Sequence, residues 1–150
     1  KEMTDLTMER IFAADVEMVY AFITTTEHLL KWWGPEGVNV REHNLDLSRP
    51  GAWSSTLVNA EGGTYKGSGE VMETAPPRRV EFTWGWHDDQ DVRGHESRVR
   101  FDVEENQGGG TRFVLTQTGL ADEESAKNHN EGWTSSLRKL QRAVDGSVAQ

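Results

Sequence analysis

The stretch Val80-Glu81-Phe82-Thr83-Trp84-Gly85-Trp86 constrains the fold most. Large apolar side chains stand at every second position. As a strand it therefore puts Val80, Phe82, Trp84 and Trp86 on one face and Glu81, Thr83 and Gly85 on the other. The pattern repeats in Val99, Phe101 and Val103 against Arg98, Arg100 and Asp102. It repeats again in Thr111, Phe113, Leu115 and Gln117 against Arg112 and Thr116, and more briefly in Trp53, Ser55 and Leu57. Turn signals separate these runs at Arg49-Pro50-Gly51, Ala60-Glu61-Gly62-Gly63, Ala75-Pro76-Pro77-Arg78, Asp88-Asp89-Gln90-Asp91 and Asn106-Gln107-Gly108-Gly109-Gly110. Strands with one apolar and one polar face make an antiparallel sheet that is covered on one side only.

The C-terminal segment supplies the cover. Asp122, Glu123 and Glu124 place acid where a helix macrodipole favours it. His129, Trp133, Ser136, Leu140 and Val144 then recur at three- and four-residue spacing beside Leu137, which marks one face of a long helix. Near the N-terminus, Leu6, Met8, Arg10 and Phe12 alternate as a first strand. Asp15 is placed to cap a short helix carrying Val16, Val19, Tyr20 and Ile23, and Thr26 to cap a second, which Gly34-Pro35 terminates. The order of strand, two short helices, about six strands and one long helix is that of an α+β domain.

Composition excludes several functions. The chain has 150 residues, with 16 Lys and Arg against 25 Asp and Glu, a net charge of −9. That balance argues against a nucleic-acid groove or an anionic membrane surface, both of which need clustered positive charge. The absence of cysteine removes disulfides, thiolate metal sites and cysteine nucleophiles, and fits a reducing, cytoplasmic setting. No apolar run approaches the ~18 residues of a membrane span, and residues 1–20 lack a signal-peptide core. No repeat or linker divides the chain, so residues 1–150 read as one domain. Met3 would make a natural start, so residues 1–3, with Lys1-Glu2 ahead of it, read as a remnant or a disordered start.

Five segments in this order resemble a known superfamily. They are Trp32-Trp33-Gly34-Pro35, then Leu45-Asp46-Leu47-Ser48-Arg49-Pro50-Gly51-Ala52-Trp53, then Gly67-Ser68-Gly69-Glu70-Val71 running into Pro76-Pro77-Arg78-Arg79-Val80. Gly110-Thr111 opens a later strand, and Gly132-Trp133 with Leu137 and Leu140 marks the last helix. Together they resemble the START-like, helix-grip superfamily that includes Bet v 1 and the polyketide cyclases, and within it the branch named after the activator of Hsp90 ATPase. The resemblance implies a curved antiparallel sheet of about seven strands wrapped around a long C-terminal helix, with two short helices after the first strand. It also implies an apolar cavity between sheet and helix. Similar proteins include lipid and polyketide binders, cyclases, resistance proteins and co-chaperones, and no shared catalytic motif transfers.

The site must therefore be read from this chain. Trp53, Trp84, Trp86, Phe113 and Trp133, with Tyr65, would line a pocket for a flat or apolar ligand, or form a plain aromatic core. Small inward residues, Ser55, Gly67, Gly69 and Ser97, favour space beside the rings. His129, four residues before Trp133, is a candidate general base or ligand contact, or else a histidine at the rim. His95 shares strand parity with Ser97 and is the second candidate base, whereas the parity of His87 points it outward or into the turn. Gln117 is either a polar ligand contact or tied to backbone. His87, Asp88, Asp89, Asp91 and Glu96 match neither a calcium loop nor a zinc helix, and read as a solvated hairpin tip. Gly67-x-Gly69 lacks the third glycine of a dinucleotide loop, so no cofactor is expected. The Trp32-Trp33 pair reads as a hydrophobic plug.

Three functions fit these residues. The first is a domain binding a small apolar or aromatic molecule, as a monomer or homodimer. The second is a cyclase- or hydrolase-type enzyme using His129 or His95 as base. The third is a co-chaperone-like interaction domain.

Overall fold

The computed structural model describes residues 4–148, so the reading of residues 1–3 lies outside the described residues. Strand β1 (Thr4–Phe12) leads into helix α1 (Val16–Thr24). Asp15 caps α1, its carboxylate accepting from the Met18 N–H at 2.8 Å. Helix α2 (Thr26–Trp32) follows after one extended residue. The cap position belongs to Thr25 and not Thr26, because the Thr25 hydroxyl closes α1 by donating to the Ala21 carbonyl and Thr26 donates to Leu45.

Six strands come next: β2 (Asn39–Asn44), β3 (Gly51–Val58), β4 (Thr64–Ala75), β5 (Arg79–His87), β6 (Arg93–Glu105) and β7 (Thr111–Leu120). Helix α3 (Glu123–Val148) closes the chain. The strands form one antiparallel sheet in the order β1-β7-β6-β5-β4-β3-β2, so every neighbour but one is a sequence neighbour and β7 returns to pair with β1. Register shifts in β1–β7, β2–β3, β4–β5 and β5–β6 bend the sheet into a trough. This is the α+β helix-grip architecture.

Helix α3 lies in the trough because its apolar stripe matches the inner face. Trp133, Ser136, Leu137, Leu140 and Val144 are its buried residues. The four apolar ones meet Val80, Phe82, Val99, Phe101, Phe113 and Leu115 from the sheet in one hydrophobic cluster that also takes in α1 and α2. The segment after α2 is fastened to α3 from above. Glu36 pairs with Arg138 and Arg142, its backbone N–H donates to the Ser135 hydroxyl at 2.8 Å, and Lys139 donates to the Gly34 carbonyl at 2.9 Å. Contact with the two guanidinium groups, Arg142 first, holds the Glu36 carboxyl below the usual carboxylate range. No helix among the described residues is long and apolar enough to cross a membrane.

Candidate functional site

The inner face is not filled along its whole length. Where β3, β4 and β5 leave the helix, a pocket of about 470 Å³ opens between the sheet and the first half of α3. That volume is in the range of small-molecule sites. Trp84 and Trp86 reach it from alternate inward positions of β5, and Leu57 and Tyr65 from the paired positions of β3 and β4. His129, Gly132, Trp133 and Ser136 reach it from one stripe of α3. The chain after α2 adds Trp33, Gly34, Pro35 and Val38, and Asn59 and Asn128 complete the rim. Among the described residues no Asp, Glu, Lys or Arg lines the pocket.

The rings are mutually braced. Trp33 stacks on Trp84 with centroids 5.5 Å apart and planes 28° apart, and meets Trp133 edge-on at 6.3 Å. Trp84 meets Trp133 at 5.5 Å and Trp86 at 5.4 Å, both edge-to-face. Aromatic pairs of this geometry hold one another in preferred orientations beyond simple burial. Hydrogen bonds fix the wall further. Trp33 donates to the Ser55 hydroxyl at 3.0 Å, and Trp133 donates to Gln117 at 2.8 Å, whose amide in turn donates to Ser97 at 2.9 Å.

Two polar groups in this wall differ in their partners. Burial against Trp84 and Trp86 pushes the His129 imidazole down to about 4. It is therefore neutral near pH 7. Its Nε2 accepts from Trp86 Nε1 at 3.2 Å, which leaves the ring proton on Nδ1. Trp84 Nε1 is the opposite case: among the described residues it is the buried side-chain polar atom without a hydrogen-bond partner. It lies beside Gly67, where an added Cβ would stand 3.5 Å from both Trp84 Nε1 and the Trp86 ring.

Of the residues that the sequence suggested, Tyr65, Trp84, Trp86, His129 and Trp133 come together around the pocket. The others stand elsewhere. Trp53 is buried behind the wall and donates to the Thr83 carbonyl at 2.9 Å. This bond is possible because Gly69 has no Cβ, which would lie 1.9 Å from that carbonyl oxygen. Phe113 packs with Phe12 and Phe101 in the closed part of the core. Ser97 and Gln117 are buried and hold Trp133 rather than line the space.

His95 is exposed and bonds the Gly119 carbonyl at 2.7 Å. Its inward parity with Ser97 is cancelled by a bulge: Glu96 pairs with Gly85 but Arg93 pairs with His87, so β6 carries one extra residue there. Trp33 is the aromatic lining residue that the sequence reading missed. Trp32 is the plug, with its N–H on the Phe22 carbonyl at 2.9 Å, while Trp33 leaves the helix in an extended conformation and turns its ring to the pocket.

Residues 13–145 match the family model described as activator of Hsp90 ATPase homolog 1-like protein. The chain belongs to this family. The crystal structure of the AHSA1 protein from Silicibacter pomeroyi is similar over 96% of this chain and 99% of that one, at 48% identity and a TM-score of 0.93. A Chromobacterium violaceum protein at 24% identity (TM-score 0.77, 93% and 96% of the two chains) shares the fold. So does a Rhodobacter sphaeroides protein at 21% (TM-score 0.78, 97% of each chain). No protein of curated function matches the chain. Membership in the family thus accounts for the helix-grip architecture, and the chemistry of the pocket rests on the side chains in it.

Proposed function

We propose that this family member binds a small, uncharged, flat molecule, largely apolar and carrying at least one hydrogen-bond acceptor. The carrying observation is the pocket of about 470 Å³ walled by Trp33, Trp84, Trp86 and Trp133, with no ionic side chain among the described residues that line it. Large rigid rings offer apolar area at little rotamer cost, and a charged ligand would lose its hydration with no counter-ion to replace it. The unpartnered Trp84 N–H supports the requirement for an acceptor, since buried donors are nearly always satisfied.

Catalysis by His129 is the weaker reading. A base at about 4 has little driving force to take a proton near neutrality, and its Nε2 lone pair is already used by Trp86. Partner binding through an apolar surface is less supported: among the described residues, the large exposed hydrophobic side chains outside the pocket, Ile11, Leu30, Met72, Val92 and Val148, belong to β1, α2, β4, the β5–β6 turn and α3 respectively.

The test is a thermal-shift comparison of acetylnaphthalene, an uncharged ring with one carbonyl, against naphthoate, the same ring with a carboxylate. The reading expects acetylnaphthalene to stabilise the fold by ~2.7 kcal/mol at a hundredfold excess over its dissociation constant, and so to raise the melting temperature, insensitive to salt. Naphthoate should act much more weakly. Equal shifts for both, or none across a broad panel of neutral aromatics, would remove the proposal.

A further inference from the structure

A second group of side chains lies on the opposite, outer face of the sheet and shares no residue with the pocket. Ser68 projects from β4 opposite Gly85 of β5. Its Oγ lies 2.7 Å from His87 Nε2, and His87 Nδ1 lies 2.7 Å from the Asp91 carboxylate. These are the two contacts, one on each ring nitrogen, that a nucleophile, a base and an orienting acid require. The acid is held there by the turn between β5 and β6. Asp91 adopts φ +63°, a left-handed conformation that Asp tolerates better than most residues, and its N–H closes the turn on the Asp88 carbonyl at 2.9 Å. Lys66 reaches the same carboxylate at 3.1 Å.

Ser68 has one more partner. Arg93 donates from Nε to Ser68 Oγ at 3.1 Å and from Nη2 to the Ser68 carbonyl at 2.9 Å, while Nη1 meets Glu96 at 2.9 Å. Its guanidinium lies flat on the bare backbone of Gly85, where a Cβ would come within 2.6 Å of it. The hydroxyl therefore accepts from a cation on one side and donates to an imidazole on the other. Its proton has a path out, and the oxygen that remains has a positive neighbour. His87 is largely buried, with its side chain 12% exposed, and Asp91 is open at 66%.

We propose that Ser68, His87 and Asp91 form an acyl-transfer site that hydrolyses small activated carboxylic esters. Ser68 Oγ attacks the ester carbonyl carbon as its proton passes to His87 Nε2, and the carbonyl oxygen becomes an anion facing the Arg93 guanidinium. Collapse breaks the bond to the alcohol, which leaves with the proton from His87, and Ser68 carries the acyl group. Water then attacks the same carbon, gives its proton to His87, and Ser68 leaves and is reprotonated. The sum is ester plus water to acid plus alcohol. Asp91 keeps the Nε2 lone pair directed at Ser68 throughout by accepting the Nδ1 proton. The ring needs this because neutral imidazole has two tautomers, of which only one can act.

The experiment uses the full chain with p-nitrophenyl acetate, read as nitrophenolate release, and a fluorophosphonate probe, read by peptide mapping. In the probe reaction Ser68 oxygen displaces fluoride from phosphorus and the proton goes to His87. The site predicts labelling at Ser68 alone and release abolished in Ser68→Ala. It predicts both slowed by about a hundredfold or more in His87→Gln, the contribution expected of a general base. Asp91→Asn should slow both without unfolding the protein, as circular dichroism checks. Labelling scattered over several hydroxyls, or a rate in His87→Gln equal to the wild type, would overturn the proposal and leave the cluster as a tie between β4, β5 and their turn.

Discussion

The two ends of the trough differ although one sheet and one helix build both. At the closed end Val80, Phe82, Phe101, Phe113 and Leu115 meet Leu137, Leu140 and Val144, and every one of these side chains is 0% exposed. At the open end Trp84 and Trp133 are nearly buried, Trp86 is 39% exposed, and about 470 Å³ remains between them. The backbone pattern is the same in both. What changes is side-chain supply: Phe and Leu interdigitate and fill space, whereas rings standing beside Gly67 and Gly132 wall a space without filling it. The closed end thus carries the stability of the fold, and the open end is free to carry a ligand.

Truncation should separate the ends most sharply. Phe101→Ala is expected to cost about 3–5 kcal/mol in urea denaturation, because Phe101 packs on Trp32, Phe82, Phe113 and Trp133 with no route to collapse. Trp86→Ala removes a larger ring yet is expected to cost less than about 1 kcal/mol, since the ring is partly in water already. Comparable losses would erase the distinction.

Acid should act on the open end. His129 titrates lower in the folded chain, at about 4 against an ordinary 6.5, so the unfolded chain binds the extra proton between those values. Stability is complete above pH 6.5 and falls as pH drops towards 4, by up to about 3 kcal/mol. Denaturation curves across that window should flatten in His129→Leu. An unchanged slope would show that the imidazole is not desolvated.

The relay that steadies Trp133 comes next in size. Gln117→Leu leaves the Trp133 N–H and the Ser97 hydroxyl without their partner, at an expected cost of about 1–3 kcal/mol. Equilibrium unfolding of the double variant with Ser97→Ala should recover part of that loss. The smallest stability effect is expected at Gly67. A methyl there meets Trp84 and Trp86 at ordinary contact distance, so Gly67→Ala should change stability by less than about 0.5 kcal/mol. Calorimetry should nonetheless show weaker binding of acetylnaphthalene and little change for naphthalene, which has no acceptor for Trp84.

The strands were legible because one-sided burial forces period two, and α3 because its stripe runs at helical spacing past Trp133, Leu140 and Val144. Which inward residues meet the pocket was less legible. Trp53, Trp84 and Phe113 all point inward, and only the place where α3 leaves the sheet decides that Trp84 alone of the three borders open space. His95 was displaced by a single extra residue in β6, which composition does not signal. Trp33 could be read only from the point where α2 ends. Ser68, His87 and Asp91 are brought together by the β4–β5 register and one left-handed residue, neither of which is written in their spacing.

The most direct measurement follows the six indole N–H signals of nitrogen-15-labelled protein as acetylnaphthalene is added. Trp32 and Trp53 donate to buried backbone carbonyls of Phe22 and Thr83, and serve as internal references for the closed core. The account predicts that Trp84 and Trp86 move together and saturate with one dissociation constant while Trp32 and Trp53 stay fixed. Shifts spread evenly over all six, or confined to Trp32 and Trp53, would contradict a ligand site at the open end.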